Sequence, residues 1–228
     1  MTSVPRIIVF DVNETLLDVG ALAPEFQRVF GNAGVAQEWF SNVVLHSQVA
    51  TIAGPYVDFG TIARGALDMA AMAHGVTLAP TDRDGILSGL TSLPAHSDVP
   101  DGLDRLRAAG FRLVTLTNSA PAMIERQLKN AGIDGYFERV FSVDAVRRFK
   151  PATEVYQLVA TELHVAPPQL RMVAAHAWDV LGAMRAGYVA AFVSRPGKAP
   201  FPLGDAPDIV GTDVRDVADQ IVKRDRPR

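Results

Sequence analysis

Four apolar residues in a row, Ile7-Ile8-Val9-Phe10, run straight into Asp11. β-Branched and aromatic residues without polar alternation predict a strand buried on both faces, as in a parallel sheet covered by helices. From Ala21 to about Leu93 the texture changes. This stretch is rich in Ala, Met, Phe and Gln, its apolar residues recur at helical spacing, and no strand is predicted within it. Gly31, Gly34, Gly54-Pro55 and Gly75 divide it into several helices, with Tyr56 to Ala73 expected to be the longest. Pro80-Thr81-Asp82 offers a further helix start, capped by Thr81 or Asp82.

Beyond this stretch, strand and helix alternate. Helices are predicted from Pro100 to Ala109, Pro121 to Ala131, Thr153 to Leu163 and Asp179 to Ala186, the first, second and fourth closed by Gly110, Gly132 and Gly187. Between them fall strands at Phe111 to Thr117, Arg139 to Val143, Arg171 to Ala175 and Val189 to Val193. A short strand near Asp208-Ile209-Val210 and a terminal helix from Val214 follow, and Lys223 to Arg228 reads as a frayed tail. Helix-length crossovers between buried strands predict an α/β fold with a doubly wound parallel sheet. The change of texture divides the chain into a core of residues 1–17 and 96–228 and a helical insertion of residues 18–95. The two connections of such an insertion suit a moving lid.

Composition narrows the function classes. The chain has 228 residues, an apolar share of 48% and a net charge of −3, which favours neither nucleic acid nor an anionic membrane. No apolar run reaches the ~20 residues of a membrane span, and Met1 to Arg6 lacks the layout of a signal peptide. A cytoplasmic location is therefore expected. Cysteine is absent, which excludes disulfides, thiolate metal sites and a cysteine nucleophile.

Candidate chemistry gathers at strand ends. Asp11, Thr117-Asn118-Ser119 and the turn from His176 to Asp179 each put polar groups after a predicted strand, where open α/β sheets bind ligands. Each also has a plainer reading as a turn or helix cap. Lys150 precedes Pro151, which favours an extended or turn conformation, and by composition it reads as a solvated loop lysine. Tyr156 on an amphipathic helix reads as core.

Asp11, Thr15 and Leu16 after an apolar strand, followed in order by Thr117-Asn118-Ser119, Lys150-Pro151 and Asp179, resemble the haloacid dehalogenase superfamily from the first strand to about Val222. The resemblance implies a Rossmann-like core, with the helical insertion as a cap over the active site. It makes Asp11 a nucleophile that forms a covalent ester or acyl phosphate with substrate. Thr15 and Thr117 become contacts of the nucleophile and the substrate carboxylate, Asn118 a substrate contact, Lys150 the electrostatic anchor and Asp179 the activator of water. Tyr156 and Trp178 match the L-2-haloacid dehalogenase branch.

Departures from the superfamily pattern separate its branches. Phosphatases of the superfamily carry a general-acid Asp two residues after the nucleophile, where this chain has Asn13, which cannot exchange a catalytic proton. Their magnesium ligands fall where this chain has Ala174-Ala175, which offer no oxygen ligand side chains, so neither metal nor cofactor is expected. His176 stands where an Asn is common, and its charge implies some pH dependence. An early cap arginine near a Trp-Arg pair is replaced by Trp39-Phe40-Ser41-Asn42, and no Arg or Lys occurs between Arg28 and Arg64. Asn13, Phe40, Asn42 and His176 are therefore counted among the substrate-side residues. His46 is a further neutral candidate for the halide, although it reads more simply as a surface or cap-packing residue.

The implied activity is a metal-independent hydrolase attacking C2 of a short 2-substituted carboxylic acid through an Asp11 ester, foremost an (S)-2-haloacid dehalogenase. Ring opening of a small cyclic amino acid, phosphatase activity and a non-catalytic binding role stay open behind it. Its partners are the small acid and water, with no nucleic acid or membrane. A homodimer is allowed.

Overall fold

The run Ile7–Phe10 forms strand β1, every residue of it buried, in a computed structural model that describes residues 6–225. A tight loop and a short 3-10 turn at Val19–Leu22 lead to helices α1 (Ala23–Phe30), α2 (Val35–Ala53), α3 (Phe59–Ala73) and α4 (Pro80–Gly89). Then come α5 (Val99–Ala108), β2 (Arg112–Thr117), α6 (Pro121–Asn130), β3 (Arg139–Ser142) and α7 (Thr153–Glu162). The chain continues as β4 (Leu170–Ala174), α8 (Ala177–Arg185), β5 (Val189–Val193), β6 (Ile209–Gly211) and α9 (Val214–Asp225).

The six strands pair in the order β3-β2-β1-β4-β5-β6, all parallel. Central β1 aligns Val9 with Val114 of β2 on one side and with Met172 of β4 on the other. The order of winding reverses between β1 and β4, and that switch point opens the crevice in which doubly wound sheets hold ligands. Strand β4 is buried throughout and still carries Arg171. Its guanidinium is paired with Asp208, and its Nε donates to Asp225 at 2.6 Å, which ties the end of α9 to the sheet.

Several expectations need correction. The longest helix is α2, which runs through 19 residues, while α3 begins only at Phe59. Asp58 caps α3 by accepting from Thr61 N, which displaces the start from Tyr56. Helix α4 is capped at Ala79, with Pro80 as its first helical residue, so Thr81 and Asp82 lie inside the helix. Trp178 and Asp179 lie in the first turn of α8, which starts two residues earlier than expected. Lys223 to Asp225 belong to α9, and Asp225 is buried against Arg171, so this part is not a frayed end. Met1 to Pro5 and residues 226–228, which carry the rest of the terminal expectations, lie outside the described residues.

Between β1 and β2 the chain leaves the sheet and returns within a few ångströms. Asp18 N donates to Pro94 O at 2.9 Å, His96 N donates to Leu16 O at 2.9 Å, and Leu17 and Ala95 form an antiparallel bridge. The helices of this excursion also contact the strand-helix half. Phe149 N donates to Thr51 Oγ1 at 2.8 Å, and the Tyr56 hydroxyl bonds to Asp144. No helix among the described residues is long and apolar enough to cross a membrane.

Candidate active site

The backbone turns sharply after β1. Leu16 N and Leu17 N both bond to Val12 O, and Glu14 takes a left-handed conformation at φ 62°. A non-glycine residue there is uncommon and is held by its surroundings. This turn aims Asp11, Glu14 and Thr15 at the end of β4.

Asp11 is the hub. Its Oδ1 accepts from Lys150 Nζ at 2.7 Å, and its Oδ2 accepts from Thr15 Oγ1 at 2.7 Å. His176 Nδ1 lies 3.1 Å from the same Oδ2, while His176 Nε2 lies 2.7 Å from Glu14 Oε2. Thr15 is itself oriented by Ala175 N, which donates to its hydroxyl at 2.9 Å, and its carbonyl is held by Arg195, which pairs with Asp98. Lys150 Nζ also donates to Asp179 Oδ2 at 2.6 Å and to Leu116 O at 3.0 Å. The ammonium thus sits between two carboxylates, only 1% exposed.

Asp179 completes the far side. Its Oδ1 accepts from the Tyr156 hydroxyl at 2.7 Å, and Tyr188 in turn donates to Tyr156 O at 2.7 Å. Gly182 permits this approach: a Cβ there would lie 2.7 Å from the Tyr156 oxygen and 2.6 Å from Pro151 Cβ, closer than packed atoms come. Trp178 is half-buried; its ring stacks on His176 at 4.9 Å and lies 5.9 Å from Lys150 Nζ.

The ionisation states follow from these contacts. Burial pushes the Asp11 carboxyl up, but the Lys150 charge and the bond and charge of His176 together hold it well below the usual carboxylate range. Burial dominates at Asp179, and the nearby charge of Asp11 adds to it, so its proton affinity is raised despite Lys150. Asp11 is therefore the more acidic of the two carboxyls. Burial opposes the charge on His176, yet its bonds to Asp11 and Glu14 and their charges lift it to about 9. Both ring nitrogens face carboxylate oxygens, which only accept, so both carry protons. Glu14 is held below its ordinary value against burial by His176 and then by Lys198, whose Nζ donates to Glu14 Oε2 at 2.7 Å. Asp11, Glu14 and Asp179 are balanced by Lys150, His176 and Lys198.

The remaining expected residues are placed as follows. Thr117 Oγ1 accepts from Ser119 N at 3.1 Å, and Asn118 Oδ1 accepts from Lys150 N at 3.1 Å, which fixes the lysine loop. Asn13 donates to Ser119 Oγ at 3.1 Å and accepts from Gln127 Nε2 at 3.0 Å, so its amide ties the nucleophile loop to the β2–α6 connection. Phe40 is buried on α2, edge-on to Trp39 at 6.2 Å and to Phe59 at 6.4 Å; Phe59 in turn packs on Phe149, the neighbour of Lys150. Asn42 is half-buried on α2, and neither residue joins the hydrogen-bonded cluster around Asp11. Sequence reading passed over Glu14, Lys198 and Arg195. The only cue for Glu14 was its place between Asp11 and Thr15.

A divalent ion does not fit this donor set. Ala174 and Ala175 present methyl groups, and the lysine ammonium fills the position between Asp11 and Asp179. Among the described residues no other group of three or more His, Asp or Glu side chains is arranged to hold one.

The model of the haloacid dehalogenase-like hydrolase family matches residues 5–187. An (S)-2-haloacid dehalogenase of Pseudomonas sp. (strain YL) is 28% identical over 93% of this chain and 92% of its own length. One from Xanthobacter autotrophicus is 31% identical over 83% of this chain and 75% of its own. The structure of L-2-haloacid dehalogenase from Xanthobacter autotrophicus with chloropropionic acid covalently bound superposes with a TM-score of 0.88 at 26% identity, covering 95% of this chain and 98% of that one.

Proposed function

Because this chain belongs to the haloacid dehalogenase-like hydrolases, we propose that it is an (S)-2-haloacid dehalogenase working through an Asp11 ester. The observation that carries the reading is an ionised, nearly enclosed carboxylate on the lysine ammonium, at the switch point of the sheet, with the amide Asn13 rather than an acid two residues after it. A halide leaves without a proton, so attack on carbon suits this site better than phosphate chemistry. Asp11 displaces the halide from C2. Lys150 holds the nucleophile ionised, Thr15 fixes its rotamer, and Thr117 and Asn118 are assigned to the substrate carboxylate. Asp179, with raised proton affinity and further lone-pair sites beyond those facing Lys150 and Tyr156, takes a proton from the hydrolytic water.

Residues 18–95 act as the cap. The paired connections at Leu16 to Asp18 and Pro94 to His96 support that division, and the enclosure of Asp11 and Lys150 fits a cap that moves to admit substrate.

Racemic 2-chloropropionate with EDTA present is expected to release chloride until one enantiomer is consumed. No chloride, with p-nitrophenyl phosphate hydrolysed only when Mg²⁺ is added, would return the chain to the phosphatases.

One observation favours a second reading. No cation occurs between Arg28 and Arg64 to receive a halide. A leaving group that stays attached, as in the opening of a small nitrogen ring next to a carboxylate, needs no such receiver. Turnover of such an amino acid without chloride release would select it. Phe40→Arg tests whether position 40 can serve as the receiver. With Phe40 packed among Trp39 and Phe59, the buried charge is expected to cost roughly 3 kcal/mol or more and lower the thermal midpoint without increasing chloride release.

A further inference from the structure

The two oxygens of Asp11 are not equivalent. Oδ1 has one donor, Lys150, and keeps a free lone-pair direction, whereas Oδ2 is faced by two, Thr15 Oγ1 at 2.7 Å and His176 Nδ1 at 3.1 Å. The freer oxygen is the one able to attack, so Oδ1 becomes the ester oxygen and Oδ2 the ester carbonyl. Backside attack puts the departing group on the side of C2 away from Asp11. His176, bonded to the oxygen that does not attack, is therefore placed away from the halide and beside the ester carbonyl.

Resting on the ester reading above, we infer that His176, held by Glu14, forms with Thr15 an oxyanion site on Asp11 Oδ2 that drives hydrolysis of the ester. Water adds to Asp11 Cγ, giving one proton to Asp179, and the carbonyl electron pair moves onto Oδ2 between the Thr15 hydroxyl and the His176 N–H. Collapse restores the carbonyl and breaks the Cγ–Oδ1 bond. The departing oxygen takes a proton from Lys150, which recovers it from Asp179 across their 2.6 Å contact. The new Asp11 carboxyl then ionises. Donors aimed at an oxygen that gains charge only in the transition state accelerate that step.

Glu14 is the positioning residue. Its strained backbone, at φ 62°, turns the carboxylate onto Nε2, and Gln37 and Lys198 hold its oxygens at 3.3 and 2.7 Å. Asp11 and Glu14 touch the ring directly, with Lys150 and Lys198 beyond them and Asp179 beyond Lys150. Glu14 also borders a polar cavity of about 310 Å³ lined by Gln37, His96, Arg195 and Lys198, so the pair has solvent behind it.

Rapid acid quench of single turnovers with 2-chloropropionate, with mass measurement of the Asp11 peptide, separates the two steps. His176→Ala is expected to release first-turnover chloride within about fivefold of wild type but to accumulate the ester, its decay slowed on the order of 100-fold. His176→Asn restores a neutral N–H and should recover part of the decay rate. In wild type the proton on His176 is present at lower pH, so ester decay should decline as pH rises towards about 9, the decline starting earlier once esterification removes the charge of Asp11. His176→Asn should lack that decline, and Glu14→Gln should move it to lower pH. Chloride release slowed as much as ester decay, no accumulated ester in His176→Ala, or a decline unmoved in both other variants would overturn the assignment. Wild-type protein that releases no chloride and forms no ester would instead overturn the dehalogenase reading itself.

Discussion

Asp11→Asn is expected to reduce turnover to below about 10⁻⁴ of wild type while leaving the fold in place, because an amide oxygen does not form the ester and nothing else in the cluster can replace it. The substitution keeps the shape and the acceptor facing Lys150, and Lys150 retains Asp179 at 2.6 Å, so the ammonium is not left unpaired. Circular dichroism and the thermal midpoint should therefore change far less than activity. A companion measurement fixes the route. In ¹⁸O-water, the first turnover of wild-type protein should give an unlabelled hydroxyl, since that oxygen is Oδ1 of Asp11, and label should enter the aspartate. Full label in the first product would mean direct attack by water and would dismiss the covalent mechanism.

Lys150→Ala is expected to damage both activity and stability. The ammonium stabilises the developing and the resting charge of the nucleophile, and losing it should slow the chemical step on the order of 10³-fold. Removing a buried partner also leaves Asp179 without a cation and Asp11 with His176 alone, a change that typically costs about 3–5 kcal/mol. The gain of stability from acid to mildly acid pH should shrink. In wild type the depressed Asp11 ionisation contributes stability that is complete above its ordinary value of 3.8 and is lost as pH falls through the depressed one. Without Lys150, His176 alone supplies an opposing charge against burial and Asp179, so the proton affinity of Asp11 rises towards its ordinary value and the contribution above pH 3.8 shrinks. Chemical denaturation at pH 3 and pH 5 would show it: wild type should gain more stability over that interval than the variant, and equal gains would place Lys150 outside the charge balance described.

Where the sequence was legible, one face of the physics dominated. Buried parallel strands have no solvent side, so Ile7–Phe10 and Val189–Val193 stand out as uninterrupted apolar runs. Asp11, Thr15, Lys150 and Asp179 were named from their order along the chain, and folding brings all four into one hydrogen-bonded cluster. The length of α2 was not legible because apolar residues lie on its outer surface as well as its inner one. Trp39, Phe40 and Val43 are buried, yet Leu45, Val49 and Ile52 face solvent, and the helical period is blurred. Glu14 was missed for a different reason. Its partners His176 and Lys198 are 162 and 184 residues away, and no local pattern announces that a strained turn will aim one carboxylate at both. Asn13 was read from its position after Asp11 alone. Its amide is engaged with Ser119 in the β2–α6 connection and with Gln127 on α6, contacts that no local pattern announces.

The contact between Leu17 and Ala95 bears on how such a chain can vary over time. Because the excursion starts and finishes at one point, β1 and β2 meet in register whatever lies between them, and the sheet experiences the intervening helices only as a closed loop. The entropy of closing a loop grows with the logarithm of its length, about 0.6 kcal/mol for each doubling, so helices can be added, shortened or exchanged there at little thermodynamic cost to the sheet. Asp11, Thr15, Lys150 and Asp179 all lie outside the excursion, which leaves its residues free to diverge while the hydrogen-bonded cluster proposed to react stays fixed.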